Sequence, residues 1–206
     1  MCTIYIHINC AIKLFINMGK ENKIMIETLQ NIETRYSCRS YTGTPIEQEK
    51  IKSIALAAVQ APSAMNLQPW QIIVIQDKAL MEDMDATTMD MLSKMEDKST
   101  YERIMGRGGK LFYNAPCMFI VAKKPDTDLD CGIVTENIAL AASALGLGNV
   151  ICGLAKLVFT TDKGEEYKKK LIPEGYEFGM SVLVGYPTNA EGKPHEPDMS
   201  KITYIG

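Results

Sequence analysis

Paired cysteines, a basic excess and any phosphate-loop motif are all missing from this chain, and each gap removes a class of function. The six cysteines stand at positions 2, 10, 38, 117, 131 and 152 without a CxxC pair, and the only histidines are His7 and His195. That is not the spacing of a zinc site or a disulfide framework, so the chain reads as a cytoplasmic protein with no metal centre. The net charge of −3 leaves no cation surplus to neutralise a nucleic-acid backbone, although a small anionic ligand stays open. There is no GxxxxGK followed by Ser or Thr, and "GLGNVICG" lacks both the GxGxxG spacing and a preceding strand. A nucleotide, if bound, is held another way. Neither histidine sits in a hydrolase context, so no Ser-His-acid arrangement is available for nucleophilic catalysis.

The apolar start, "MCTIYIHINCAIKLFINMGKENK", lacks a basic n-region and a small-residue cleavage site, and Lys13 interrupts it. It is therefore not read as a signal peptide or a membrane span. Met18 and Met25 precede the first clean helical pattern, so residues 1–22 are expected to be an upstream start or a loosely attached arm without functional role. No repeat and no Pro/Gly/Ser-rich linker divides the remainder, and residues 23–206 are expected to form a single domain.

Hydrophobic periodicity supplies the elements. "KIMIETLQNIET" reads as a helix, and "IEQEKIKSIALAAVQ" as a second that starts after Pro45 with Ile51, Ile54, Ala55 and Ala58 on one face. "QIIVIQ" is a buried strand. The methionine-rich stretch from Asp77 to Asn114 reads as two helices joined near Ser99, and "CMFIVAKK" as a strand. "LDCGIVTENIALAASALGLG" is a helix apolar on nearly every side, with Gly146 or Gly148 as its stop. A short apolar run "NVICGLA", a capped helix from Asp162 to Leu171, the strand "FGMSVLVGYP" and a further short strand "KITYI" complete the chain. Strands separated by long helices imply an α+β domain with helices packed over a central sheet.

Two stretches carry candidate chemistry. In an extended "RYSCRS", Arg35, Ser37 and Arg39 share one side while Tyr36 and Cys38 take the other. Two guanidinium forks and a hydroxyl suit a phosphate, and arginines that merely complement a helix C-terminus are the alternative. In "VQAPSAMNLQPWQIIVIQD", Pro62 and Pro69 restrict Ala61 and Gln68 toward extended backbone. A stiff loop loses little entropy on gripping a ligand, and Asn66 can pair with a ring edge that alternates carbonyl and N–H. Ser63 and Asn66 satisfying only their own backbone is the plainer reading.

Taken in order, "RYSCRSYTGTPIEQEKIKSIALAAVQAPSAMNLQPWQIIVI", "LFYNAPCMFIVA", "CGIVTENIALAASALGLG" and a late strand ending "VGYP" resemble the flavin-dependent nitroreductase family, over roughly Leu29 to Tyr204. The resemblance implies a mostly antiparallel central sheet in a domain-sharing homodimer, with FMN at the interface and NAD(P)H as co-substrate. It places Arg35, Ser37 and Lys193 on the FMN phosphate, with Tyr36 in the same segment. Arg39 and Lys110 fall near the pyrimidine edge, and Arg107 competes with Lys110 for that place. Pro62, Ser63, Ala64 and Asn66 match the loop that the second subunit lends, and Ala64 stands where a hydroxyl is common. Backbone at Gly153 and Leu154 matches the donor toward flavin N5, with a simple turn as the alternative.

The implied cycle is ping-pong hydride transfer from NAD(P)H to a nitroaromatic, quinone or similar small acceptor. Reductive dehalogenation, flavin fragmentation, or a binding protein that has lost the flavin are the rival readings. Selectivity is expected from residues 77–114, whose six methionines are either substrate wall or plain packing. The apolar helix over Cys131 to Leu145 implies an interface larger than about 2,000 Å² between two copies.

His195 follows Lys193 where the family often has a second strong cation. With His195 on the phosphate, FMN affinity falls as pH rises and the ring loses its charge. Titration of FMN binding from about pH 5.5 to about pH 8 checks this, and a flat profile removes His195 from the site.

Overall fold

The structure is a computed structural model, and it describes residues 20–189 and 192–206, with side chains from residue 27 onward. The arm expected over residues 1–22 thus lies outside the described residues but for its last three. Two compact units divide the chain, Met1–Arg35 and Tyr36–Gly206. What is described of the first is the helix α1 (Lys20–Thr34) and Arg35. Among the described residues no helix is long and apolar enough to cross a membrane.

The second unit is an α+β body built on four antiparallel strands, β1 (Trp70–Ile75), β2 (Cys117–Lys123), β3 (Gly148–Ile151) and β4 (Glu177–Gly185). Their order is β1-β2-β4-β3. Helices α2 (Gln48–Val59), α3 (Lys78–Lys94), α4 (Ser99–Met105), α5 (Asp128–Ala144) and α6 (Gly164–Leu171) flank this sheet. The pleat of β2 explains the layering, because alternate side chains leave a strand on opposite faces. Cys117, Phe119 and Val121 pack with Ile51, Ile54 and Ala58 of α2 and with Val134 and Ile138 of α5. Met118, Ile120 and Ala122 pack with α3, α4 and α6 through Met84, Leu92, Ile104 and Tyr167. Both faces being covered, β2 is buried at every residue and reads as a continuous apolar run instead of an alternation.

Helix α5 ends as the glycine predicts. Gly146 takes φ +72° and the Leu147 N–H reaches back to the Ala142 carbonyl at 3.0 Å, the six-to-one bond of a Schellman stop. Its buried stripe is Cys131, Val134, Thr135, Ile138, Ala139 and Ala142, whereas Leu129 is 80% exposed. In α3 the Asp77 side chain accepts the Leu80 N–H, and Met81, Met84, Asp85, Thr88, Met89 and Leu92 form the buried face. Three of the six methionines of residues 77–114 are therefore core packing, and Met95 and Met105 are exposed.

Three sequence expectations are corrected. "KITYI" is no strand: Met199–Lys201 is a 3-10 turn whose end is closed by the Ile202 N–H on the Met199 carbonyl, and residues 202–206 carry no strand pairing. α6 starts at Gly164, and Lys163 gives it no side-chain cap. Gln68 is not extended but sits at φ +46°. Its N–H bonds the Ser63 hydroxyl at 2.9 Å and its side-chain amide bonds Asn66 Oδ1 at 3.1 Å, which outweighs the preference set by Pro69.

Gly148 opens β3 where Cys38 presses on it. A Cβ there would stand 2.8 Å from Cys38 Sγ, closer than carbon and sulfur allow. Gly148→Ala is expected to cost about 1–3 kcal/mol, measured by denaturant unfolding, through displacement of the segment that carries Ser37 and Arg39.

Candidate active site

Residues 36–42 close the outer edge of β3. Ser37 forms a parallel bridge with Asn149, and the Cys38 N–H donates to the Asn149 carbonyl at 2.8 Å. Further on, Tyr41 bridges Pro187, Thr42 N–H donates to the Tyr186 carbonyl, and Thr188 N–H donates to the Ser40 carbonyl. The buried Tyr41 hydroxyl binds the Cys38 and Leu183 carbonyls. This extended run turns Cys38 inward, leaves Ser37 half-buried and Arg39 exposed, and lets Arg39 Nη1 reach the Ser37 carbonyl at 3.4 Å. Arg35, in the other unit, has its Nη1 buried without a hydrogen-bond partner among the described residues. A buried guanidinium nitrogen left unpaired is costly, and an anionic oxygen is the partner that satisfies it.

Cys152 links Arg39 to the turn at Gly153. Burial pushes the Cys152 thiol up to about 11, while the N–H groups of Ala155 and Leu154 and, more weakly, the Arg39 charge pull it down. Cys152, whose N–H donates to the Ser181 carbonyl at 2.8 Å, leads from β3 into the 3-10 turn Gly153–Thr160. The Asp85 charge also raises the Cys152 thiol, and its own carboxylate accepts Leu111 N–H at 3.3 Å and Phe112 N–H at 2.9 Å. That clamp holds the backbone directly after Lys110. Arg107 stands in the exposed turn that follows α4.

The loop between Pro62 and Pro69 is held by several bonds and locally strained. Met65, Asn66 and Gln68 all have positive φ, at 49°, 55° and 46°, each costing on the order of 1 kcal/mol or more outside glycine. Asp130, in the first turn of α5, accepts the Ala64 N–H at 3.4 Å, and Lys124 N–H donates to the Pro69 carbonyl at 2.9 Å. Below it the buried Lys123 ammonium pairs with Asp128 and Glu177. Ser63 and Asn66 thus do spend an oxygen each inside the loop. Around them Leu56, Val59, Met65 and Leu67 remain exposed.

The two candidate halves sit at opposite corners of the sheet. Ser37 lies outside β3, four strand spacings from β1, or about 19 Å across. It is level with Asn149, Val184 and Cys117, whereas Trp70, which ends the loop, pairs with Lys123 six residues away along β2, or about 20 Å along. The tail is on the Ser37 side: the Gly192 backbone packs on the Tyr36 ring, leaving no room for a Cβ, and Lys193 and His195 beyond it are exposed. Asn149, Tyr41 and Asp85 hold this half together and were not singled out from sequence. Asp85 alone left a signal, a carboxylate in phase with the apolar stripe of α3.

Comparison with known proteins agrees with this architecture. A sequence model of the Nitroreductase family matches residues 32–186, and the chain belongs to that family. It is 47% identical to a nitroreductase of Desulfitobacterium hafniense solved with bound FMN, with a TM-score of 0.84 over 87% of this chain and 98% of that one. A nitroreductase of Bacteroides fragilis, also solved with FMN, is 25% identical with a TM-score of 0.78 over 87% and 99%. The protein of Bacillus subtilis named FMN reductase [NAD(P)H] is 39% identical, with 88% of this chain and 76% of that one covered.

Burial raises the Asp85 carboxyl above its ordinary range, against the lowering by the Phe112 and Leu111 N–H groups and by Lys110. A raised folded-state pKa favours the folded state while the group is protonated, and that contribution is lost as pH rises. The stability of the wild type relative to Asp85→Asn is expected to be greatest below about pH 4 and to fall as pH rises through the raised value. Thermal melts of both proteins across that range check the sign.

Proposed function

We propose that this chain is an FMN-dependent oxidoreductase that passes electrons from NAD(P)H to electron-poor acceptors of the nitroaromatic or quinone type, working as a homodimer with two flavin sites that both copies build. The observation that carries the shared site is the separation of its halves. Ser37, Arg39 and Gly153 gather at the β3 edge, while Ser63 and Asn66 sit at the far corner beside β1. One copy cannot bring both sets onto a single small ligand, and a two-fold pair of copies can. The exposed Leu56, Val59, Met65 and Leu67 beside the loop supply an apolar surface for such a contact.

The residues present fit FMN. The Ser37 hydroxyl suits its phosphate, with Lys193 and His195 in the same unit as further donors, and Arg35, in the other unit, keeps an orphaned Nη1 that suits an anionic oxygen. Arg39 supplies a fixed positive charge for the pyrimidine end, and the Gly153 N–H a donor for the ring's reactive edge. When bound, FMN supplies the two-electron relay that lets donor and acceptor use the same space in turn, in ping-pong order. The chain then has no acid, base or nucleophile to provide. Its work is to hold the phosphate, bias the ring's charge and, through the neighbouring loop, cover one side. The strained, multiply bonded loop suits that task because little order is left to be acquired on contact. The FMN carried by the two solved relatives supports the same reading.

The purified protein is expected to be yellow, to release FMN on denaturation and to sediment as a dimer at all working concentrations. The decisive test joins two inactive variants, Arg35→Ala/Arg39→Ala and Ser63→Ala/Asn66→Ala, each expected to weaken FMN binding at least about tenfold. Co-expression of the two gives heterodimers with one intact site, restoring about a quarter of wild-type flavin sites in a random mixture. A mixture no better than its parents would remove the shared site, and a monomeric yellow enzyme would do the same.

A further inference from the structure

A cavity of about 350 Å³ opens between residues 41–46, the start of α3 and residues 110–116. Tyr41 and Lys110 line it, but Ser37, Arg39, Ser63, Asn66 and Gly153 do not, so it lies apart from those residues and shares with the flavin candidates only Lys110, which the resemblance sets near the pyrimidine edge. Its size lies within the range of small-molecule pockets, about 300–1,000 Å³.

The charges along it are ordered by depth. At the inner end Asp85 is only 4% exposed. Its two oxygens take one backbone N–H each, and it makes no ion pair among the described residues. A carboxylate has about four lone-pair sites, so its capacity for a cationic donor is unspent. Buried Ile46, Met81 and Phe112 supply apolar wall. At the exposed end stands the Lys110 ammonium, which has no acidic partner at ion-pair distance among the described residues, whereas Lys78 is matched to Glu82 at 3.7 Å.

A buried carboxylate and an exposed ammonium within electrostatic reach of each other, with an apolar wall beside them, are the complement of one kind of ligand. We propose that this cavity binds a small amphipathic zwitterion of the α-amino-acid class, its ammonium on Asp85, its side chain against Met81 and Phe112, and its carboxylate toward Lys110. A charge-assisted bond made in a nearly dry setting is worth more than the same bond at the surface, which lets Asp85 anchor the ligand. Tyr41, whose hydroxyl holds the Cys38 carbonyl, places the pocket one residue contact from the segment that bears Arg39.

The test is calorimetric titration of the intact purified protein, carrying whatever flavin it retains, with L-phenylalanine, phenethylamine and 3-phenylpropionate. Saturable binding of L-phenylalanine is expected, with each single-charge analogue at least about tenfold weaker. Asp85→Asn is expected to abolish binding. Thr42→Trp, which fills the mouth from an exposed position, is expected to do the same while retaining a cooperative thermal transition, so that loss of ligand is not confused with loss of fold. No heat of binding at millimolar L-phenylalanine, equal binding of an analogue, or full binding by Thr42→Trp each overturns the proposal. Because no turnover is read, the result is independent of whether the FMN assignment holds.

Discussion

A sheet covered by helices on both faces can offer chemistry only at its edges and ends, and in this chain that constraint distributes every candidate residue. β2 and β4 are central, and their side chains are spent on the two core layers. The outer edge of β3 is taken by Ser37 and Cys38 through Asn149, which converts an unpaired strand edge into a platform that orients Ser37 and Arg39. The opposite edge strand, β1, begins where the proline-braced loop ends. The two candidate stretches therefore stand at opposite corners of the sheet, and the proposed homodimer is the arrangement that would unite them.

The two halves are stabilised in different ways. The β3 side relies on backbone pairing and on buried groups: the Tyr41 hydroxyl bonded to two carbonyls, Cys38 against Gly148, and Asp85 clamping two consecutive N–H groups. The loop side relies on local hydrogen bonds that maintain three positive-φ residues, and on the first turn of α5, where Asp128 meets Lys123 and Asp130 meets Ala64. Backbone held in such conformations is retained only where its surroundings over-determine it. Here those surroundings are the sheet end at Lys123 and Lys124 and the helix N-terminus beside it.

Much of the fold was legible in the chain because the signals are periodic. Ile51, Ile54 and Ala58 recur at helical spacing and do face the core; Gly146 stops α5 in the left-handed region; the apolar run of residues 117–123 is a strand buried on both faces. The alternation in "RYSCRS" correctly separates Cys38 from Ser37 and Arg39 because the segment is extended. Local rules failed where a tertiary or medium-range partner outbid them. Gln68 ignores the preference set by Pro69 since Ser63 and Asn66 hold it, and "KITYI" has strand-like composition but begins in a 3-10 turn. Asp85 was hidden in a methionine-rich helix although its phase with Met81, Met84 and Thr88 marks it as interior.

By itself, the order of residues determined most of the elements and presented an arginine-serine segment and a proline-flanked polar loop, since period, charge and backbone restriction are properties of short stretches. Only tertiary structure decided that these two stretches lie at opposite corners of the sheet. The strand order β1-β2-β4-β3 is not the order of the chain, and it arises from which apolar faces must meet. The mixed-charge cavity is likewise beyond sequence, because Asp85, Phe112 and Ile46 become neighbours of one space only after both layers have packed.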